Sequence, residues 1–342
     1  MSPERFETIT RHYADLRIGV VGDFCLDRYL EIDPEKNELS IETNLPVHNV
    51  VRVRSQPGGA GTILNNLVAL GVRTLYPLGF AGEDGEGYEL VRSLQEKPGV
   101  KMDYFVQTVE RRTFTYCKPL ILQKGETPKE LSRLDSKNWT ATPAKVSVEF
   151  MRHVEALANK VDAIIALDQV DIEDTGVITA QVMESIRQVS HSHPQLFIMA
   201  DSRRGLKGFP PVTFKMNASE LAKFGGKVAC LSLEAIRREA ATLAGRNGRS
   251  VFVTMAADGI LGASPGSEVE HVQAWPVRGE IDVVGAGDAV TANVTCAMAA
   301  GASLREALEL ANAAASIVLH QLGTTGTANA AQLRSLLFSD SN

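Results

Sequence analysis

The chain has 342 residues, of which 44% are hydrophobic, 22% charged and only 6% aromatic, enough apolar mass for one large globular domain. A formal net charge of −6 argues against nucleic acid as the main partner, because such binding needs a net-basic face. No apolar run approaches the length that spans a bilayer, so no membrane role is expected.

The first twenty residues lack a continuous apolar core and a small-residue cleavage site. Phe6, Ile9, Tyr13 and Leu16 recur instead at helical spacing, which predicts a short amphipathic helix packed on the domain. "LRIGVVGD" (16–23) reads as a buried strand, "AGTILNNLVALG" (60–71) as a helix ended by Gly71, and "VRTLYPLGF" (72–80) as a strand again. Further strands are expected at "VDAIIALD" (161–168), "LFIMAD" (196–201) and "SVFVTMA" (250–256). A helix carrying Ile178, Val182, Ile186 and Val189 follows the first of these. The final third reads as two helices rich in small residues. Strands alternating with helices predict an α/β fold, three layers with a mainly parallel sheet covered on both faces.

Residues 28–57 and about 104–136 break that rhythm with short β-segments such as "PVHNVVRVRS" and "RRTFTYCKPLIL". They predict a small accessory sheet placed as a lid, with "QKGETPKE" as an exposed hairpin tip. Cys25, Cys117, Cys230 and Cys296 stand far apart, with no C-x-x-C pair and no histidines at metal spacing. That speaks against zinc and reads as reduced, buried thiols in a cytoplasmic protein.

Ligands of open parallel sheets bind beyond the carboxyl ends of the strands, where Asp23, Asp27, Asp168 and Asp201 are expected. "IDVVGAGDAVTANV" places Gly285, Ala286 and Gly287 at the start of a helix, with Asp288 in its first turn. A helix N-terminus offers unpaired amides and partial positive charge to an oxygen anion. Charge building on a transferred phosphoryl group would be stabilised there. Asp288 would then act as the base that takes the proton of an attacking hydroxyl, the dipole keeping it ionised at neutral pH. A plain turn followed by an acidic first helical turn is the alternative on these four residues alone. The loop is neither a Walker A motif nor a dinucleotide fingerprint, and the first strand lacks the glycines of a nicotinamide-dependent oxidoreductase.

"DVVGAGD" (282–288) resembles the C-terminal signature of the ribokinase-like (PfkB) sugar kinases, D-T-x-G-A-G-D. "GGAGTILNNLVALG" and "GFAGEDGEG" (58–71, 79–87) resemble their N-terminal signature. "VVGDFCLD" (20–27), "NASE" (217–220), "VTMAADG" (253–259) and "ANAAAS" (311–316) follow in the family's order. The likeness covers about residues 16 to 335. Within the family it is nearest the heptose-7-phosphate kinase domain of ADP-heptose synthase, through "VVGDFCLDRY", "ELSRLD", "MADSRRG" and "KMNASEL". The chain stops soon after this pattern, so a single kinase domain over 1–342 is expected.

The resemblance implies ATP-dependent phosphorylation of a hydroxyl on a sugar or sugar phosphate. It makes Asp288 the catalytic base and the amides of Gly285, Ala286 and Gly287 the anion hole. It assigns Asp27, Gly58 and Gly59 to sugar hydroxyls, Thr62 to the position of a sugar-binding asparagine, and Lys118 and Arg133 to a substrate phosphate. Asn217 and Glu220 match an N-x-x-E element that organises phosphate and Mg2+, the metal through water at Glu220. Arg203 replaces a lysine near the transferred phosphate, and Thr254, Gly259 and Asn312 fall where the family holds the nucleotide. ATP and Mg2+ are the implied cofactors, with K+ left open, and a homodimer through the lid is allowed.

Plain structural roles stand beside these. Asn217 and Glu220 also fit a helix cap and its capping-box partner, Asp23 and Asp201 fit loop caps, and Asn312 fits helix packing. Thr62, Val283 and Ala256 depart from the family's asparagine, threonine and glycine, and Tyr116 stands where the heptose kinases tend to have lysine. These departures motivate the alternative of a catalytically weak member that binds sugar or nucleotide as a regulator.

Overall fold

The structure is a computed structural model that describes every residue except 124, 126, 228–230 and 339–342. Helix α1 (Pro3–Arg11) is capped by Ser2, whose hydroxyl accepts from the Arg5 amide, and it buries Phe6 and Ile9. Tyr13 extends the buried stripe in the short turn beyond it. Strand β1 (Arg17–Gly22) then passes into β2 (Phe24–Ile32) with Asp23 alone between them. A small hairpin, β3 (Glu38–Leu39) and β4 (Pro46–Val47), leads to β5 (Val50–Gly59) and directly into α2 (Ala60–Ala69). Next come β6 (Thr74–Leu78), β7 (Phe80–Gly82), α3 (Gly85–Gln95), β8 (Val106–Thr108), β9 (Phe114–Ile121), β10 (Lys129–Glu130) and β11 (Leu134–Ser136).

The second half alternates more regularly. It runs α4 (Ala144–Ala158), β12 (Ala163–Asp168), α5 (Ala180–Ser192), β13 (Phe197–Ser202), β14 (Thr213–Asn217), α6 (Ala218–Phe224) and α7 (Leu233–Asn247). The chain then turns through β15 (Val251–Thr254), β16 (Ile260–Ala263) and β17 (Glu270–Val272) to α8 (Ala286–Ala299), α9 (Leu304–Leu319) and α10 (Ala330–Phe338).

The central sheet has the order β17-β16-β15-β14-β13-β12-β1-β6. Its pairs from β6 to β15 are parallel, and β16 and β17 close one edge antiparallel. Alternation along β12 shows why the strands read as unbroken apolar runs. Ile164 and Ala166 join the core under α4, α5 and α7, while Ala163, Ile165 and Leu167 join the one under α1, α2, α8 and α9. Both faces are covered, so neither can be polar. The α/β reading with a mainly parallel sheet therefore holds.

A second sheet, in the order β10-β9-β2-β5 with β11 also on β9, stands off one end of the first. Its first segment runs from Phe24 to Gly59, wider than the 28–57 read from sequence, because β2 continues the line of β1. Its two main strands are long, nine and ten residues, not short. Lys124 and Glu126 of the expected hairpin tip lie outside the described residues. Of the four cysteines, Cys25 and Cys296 are buried and Cys117 is only half-buried on β9. Cys117 corrects the expectation of buried thiols, and Cys230 lies outside the described residues.

Candidate active site

Helix α8 opens at Gly285, whose φ of 83° is left-handed and whose side offers no capping bond. The first helical bond inside α8 runs from the Ala289 amide to the Gly285 carbonyl. The amides of Gly287 and Asp288 therefore have no intrahelical partner, while that of Ala286 donates at 3.4 Å to the Val283 carbonyl. Asp288 is half-buried in the first turn. Burial pushes its carboxyl up to about 7; Lys215 pulls it down, and Asp201 and Asp27 push it up. The expectation that the helix dipole holds Asp288 fully ionised at neutral pH is thus corrected, because burial beside two other carboxylates outweighs it.

The other carboxylates come from the strand ends. Asp201, on β13, accepts from Lys215 Nζ at 2.8 Å and from Thr291 Oγ1 of α8 at 3.2 Å. Lys215 lies on β14 and is buried. The sequence reading missed it, although a lone lysine in the apolar run "VTFKMN" was the available signal. Asp23 is buried and accepts amide hydrogens from Val177 and Gln169 at 2.7 and 2.8 Å, which makes it a loop anchor. Asp168 is buried against Ser202 and Arg204.

Asp27 falls inside β2, not at a strand end of the main sheet, and its carboxyl rests on Gly58. A Cβ at Gly58 would stand 2.5 Å from Asp27 Oδ2, so only glycine fits there. Burial raises the Asp27 pKa, Lys118 and Arg133 lower it, and Asp135 raises it. Gly59 takes φ 57° to turn β5 into α2, whose first turn buries Thr62. The Thr62 methyl is 3.6 Å from where a Cβ on Gly285 would be, so the two signature segments meet. Gln56, paired with Asp27 across the small sheet, donates to Thr325 Oγ1 at 2.6 Å and accepts from Thr324 Oγ1 at 3.3 Å. Neither contact was foreseen.

The lid face above Asp27 carries cations against rings. Register places Tyr29 beside Lys118 and Arg54, and Tyr116 beside Asp27 and Asp135. Arg54 and Lys118 lie 4.8 and 5.0 Å from the Tyr29 centroid. Arg133 lies 5.2 Å and Lys137 5.8 Å from that of Tyr116. Arg133 also pairs with Asp135 at 2.7 Å. Arg203 is drawn to this side: its Nε is 3.1 Å from Asp171, which also holds Lys137. In this structure the Arg203 guanidinium is thus engaged by Asp171.

On the other side of α8, Asn217 and Thr254 are register partners at the ends of β14 and β15. Asn217 and Glu220 form a full capping box on α6, at 2.9 and 2.7 Å, so the structural alternative for this pair is realised. Burial also raises the Glu220 pKa. Ala256 has φ 49°, the left-handed region that glycine adopts at least cost. At Gly259, φ 86°, a Cβ would strike the Val272 carbonyl. Asn312 donates to the Gln273 carbonyl at 2.8 Å and lines a cavity of about 380 Å³ with Gln273, Trp275 and Pro276.

The pattern of a pfkB family carbohydrate kinase matches residues 20–331. The chain belongs to that family. It is an ATP-dependent carbohydrate kinase, as the two signatures implied. It is 30% identical over 324 residues to the bifunctional protein HldE of Azorhizobium caulinodans, covering 94% of this chain and 64% of that one. Against the bifunctional protein HldE of Gluconacetobacter diazotrophicus the values are 27%, 94% and 63%. The chain thus spans just under two thirds of these relatives' length. Among solved structures, Arabidopsis thaliana ribokinase complexed with ribose and ATP matches with a TM-score of 0.64 at 20% identity, covering 94% and 99% of the two chains. Phosphofructokinase-2 from Escherichia coli in complex with potassium matches with a TM-score of 0.71 at 17% identity, covering 94% and 97%. These structures support the fold.

Proposed function

We propose that this kinase phosphorylates a hydroxyl of a sugar that already carries a phosphate, a heptose 7-phosphate being the substrate the sequence resemblance favours. The observation that carries the reading is the meeting of Asp27, Gly58 and Thr62 with the Gly285–Asp288 loop at one point of the cleft. Asp27 holds a sugar hydroxyl and Asp288 faces the reacting one. That oxygen forms its bond to the γ-phosphorus as the bond to the β-phosphate oxygen breaks, and its proton passes to Asp288. The open amides of α8 take the charge on the transferred group. A base near 7 suits this step, since proton transfer is most efficient when the pKa matches the working pH.

The nucleotide lies toward Asn217, Thr254, Gly259 and Asn312 in this reading. No cluster of three or more His, Cys, Asp or Glu side chains able to hold a metal occurs among the described residues. A single carboxylate such as Glu220 fits Mg2+, which keeps several waters and needs only one or two carboxylates beside phosphate oxygens. Glu220 would hold it through water, and the bound ion would neutralise phosphate charge. The same reading leaves K+ as a further cofactor, to be tested by exchanging Na+ for K+ in the assay.

Lys118 and Arg133 would receive the substrate's own phosphate, because a buried dianion needs cationic donors and a hydroxyl does not. The β5 edge of the small sheet exposes Val50, Val51 and Val53, with Ile41 fully exposed nearby, and a second copy pairing there would cover it. Three described cysteines are free, which fits a reducing, cytoplasmic setting; no described helix is long and apolar enough to cross a membrane.

The deciding experiment is ATP consumption against a panel of sugars and sugar phosphates with heptose 7-phosphate included. Preference for an unphosphorylated sugar would remove the sugar-phosphate reading. No turnover on any member, with ligand binding retained, would leave the regulator alternative.

A further inference from the structure

The floor of the cleft holds a cation that the scheme above does not use. Lys215 sits on β14 in the middle of the central sheet with its side chain 9% exposed. Its ammonium donates to Asp201 Oδ2 at 2.8 Å, and Thr291, one turn beyond Asp288 on α8, donates to the same oxygen at 3.2 Å. A Cβ added to Gly287 would stand 3.1 Å from Lys215 Nζ, so the ammonium lies against the anion loop itself. We propose that Lys215 is a positioning residue for phosphoryl transfer: clamped by Asp201, its ammonium lies against the turn that carries Asp288 and keeps that carboxylate available as a base. The proposal rests on the reading of Asp288 given above.

The charge count explains the arrangement. Asp201 and Lys215 make a neutral buried pair, and Asp288 is the odd carboxylate beside it. The cluster therefore changes by a single charge when Asp288 takes a proton. Without the ammonium, two carboxylates would face each other in a buried site, and like charges there favour protonation. Burial alone would push Lys215 down; Asp201 first, then Asp288 and Glu220, hold it above its usual value instead. The titratable groups facing Asp288 are Lys215 on β14, Asp201 on β13, and Asp27 with the Cys25 thiol on β2. Lys215 alone among them attracts the charged form.

Two substitutions should therefore move Asp288 in opposite directions. Lys215→Met removes the attraction, and Asp201→Asn removes a repulsion while leaving the lysine. The direct readout is carbon-13 NMR of the aspartate carboxyls in the unliganded protein, with the Asp288 signal assigned by its loss in Asp288→Asn. The midpoint should rise by about one pH unit or more in Lys215→Met and fall in Asp201→Asn. Lys215→Arg, which keeps the charge, should stay close to the wild type. The acid limb of kcat/KM for ATP turnover should follow the same order. General damage to the fold would not shift two variants oppositely, and if Lys215→Met does not fold, Lys215→Gln, which also removes the charge, is read in its place. An Asp288 midpoint unmoved in both variants, or moved the same way, overturns the proposal. Opposite shifts together with an Asp288→Asn enzyme of full activity would instead overturn the base assignment and leave the electrostatic coupling standing.

Discussion

The floor of the cleft and the lid both concentrate charge, but they hold it differently. On the floor, Asp201 and Lys215 are enclosed and neutralise each other, with Asp288 the odd carboxylate beside them. On the lid, Arg54, Lys118, Arg133 and Lys137 lie over tyrosine rings, and Arg133 and Lys137 pair with the exposed Asp135 and Asp171. A buried pair costs several kcal/mol to break, about 3–5 by mutational precedent. An exposed pair contributes about 0–1 kcal/mol. The floor is thus built to keep its charges where they are, while the proposed phosphate site on the lid would exchange weak ion pairs for an incoming anion.

The largest effect expected from breaking this contrast is at Asp288. Asp288→Asn should lower turnover ~10²–10⁴-fold with ATP affinity nearly unchanged, because it removes the base and keeps the amides. Stopped-flow turnover and calorimetric ATP binding would measure the two parts, and half-wild-type turnover would sink the assignment. In the wild type, kcat/KM should fall as pH drops through about 7, since a base with a raised pKa is protonated below it. Stability runs the other way. A carboxyl raised in the folded state favours folding below its unfolded pKa, and that gain is lost as pH climbs to about 7. Asp288→Asn should therefore raise Tm relative to wild type at pH 8 and not at pH 4.

The lid should answer more mildly. Lys118→Ala or Arg133→Ala should raise KM for the sugar phosphate about tenfold, at ~1.4 kcal/mol per tenfold, with little change for ATP. Steady-state kinetics showing the same KM in both variants would move the substrate phosphate elsewhere. Next in size is Glu220→Gln. It keeps the capping acceptor but removes a charge, so the Mg2+ concentration for half-maximal rate should rise; an unchanged titration would leave Glu220 as a cap alone. The smallest effect is at Ala256. Replacement by glycine relieves a left-handed alanine, worth about 1–2 kcal/mol before glycine's own entropy cost, so thermal unfolding should show a slight gain.

The two regions also differ in how much of them could be read from sequence. The floor's strands bury both faces, so β1, β12 and β13 announce themselves as apolar runs, and the signatures mark both segments that meet at Gly285. Lys215 escaped because the apolar run around it was the only local signal; its partner Asp201 is 14 residues away, and Thr291, which donates to the same carboxylate, is 90 residues from Asp201. The Arg203–Asp171 pair was unforeseen for the related reason that Asp171 belongs to another loop. The extent of β2 was underestimated because its residues alternate between the substrate face and the face toward α3, where Arg28 meets Glu86 and Glu89. Polar residues on both faces weaken the strand pattern. The left-handed Ala256, by contrast, was visible as an alanine standing where a glycine is usual.

Asp23 has a mechanical consequence. It is the only residue between β1 and β2, so at this point the small sheet continues from the large one through a one-residue joint. That joint is gripped from both sides. Its carboxylate takes the Gln169 and Val177 amides, and its carbonyl takes the Ala60 amide where β5 turns into α2. A pinned joint of this kind does not swing as a door does; a load on the free end is taken up by flexing along β2 and β5. Deflection is then smallest next to the joint, where Asp27 and Gly58 lie, and greatest at the hairpin of β3 and β4. In the proposed reading, hydroxyl contacts at Asp27 and Gly58 would stay in register with Asp288 while the far end of the sheet spreads.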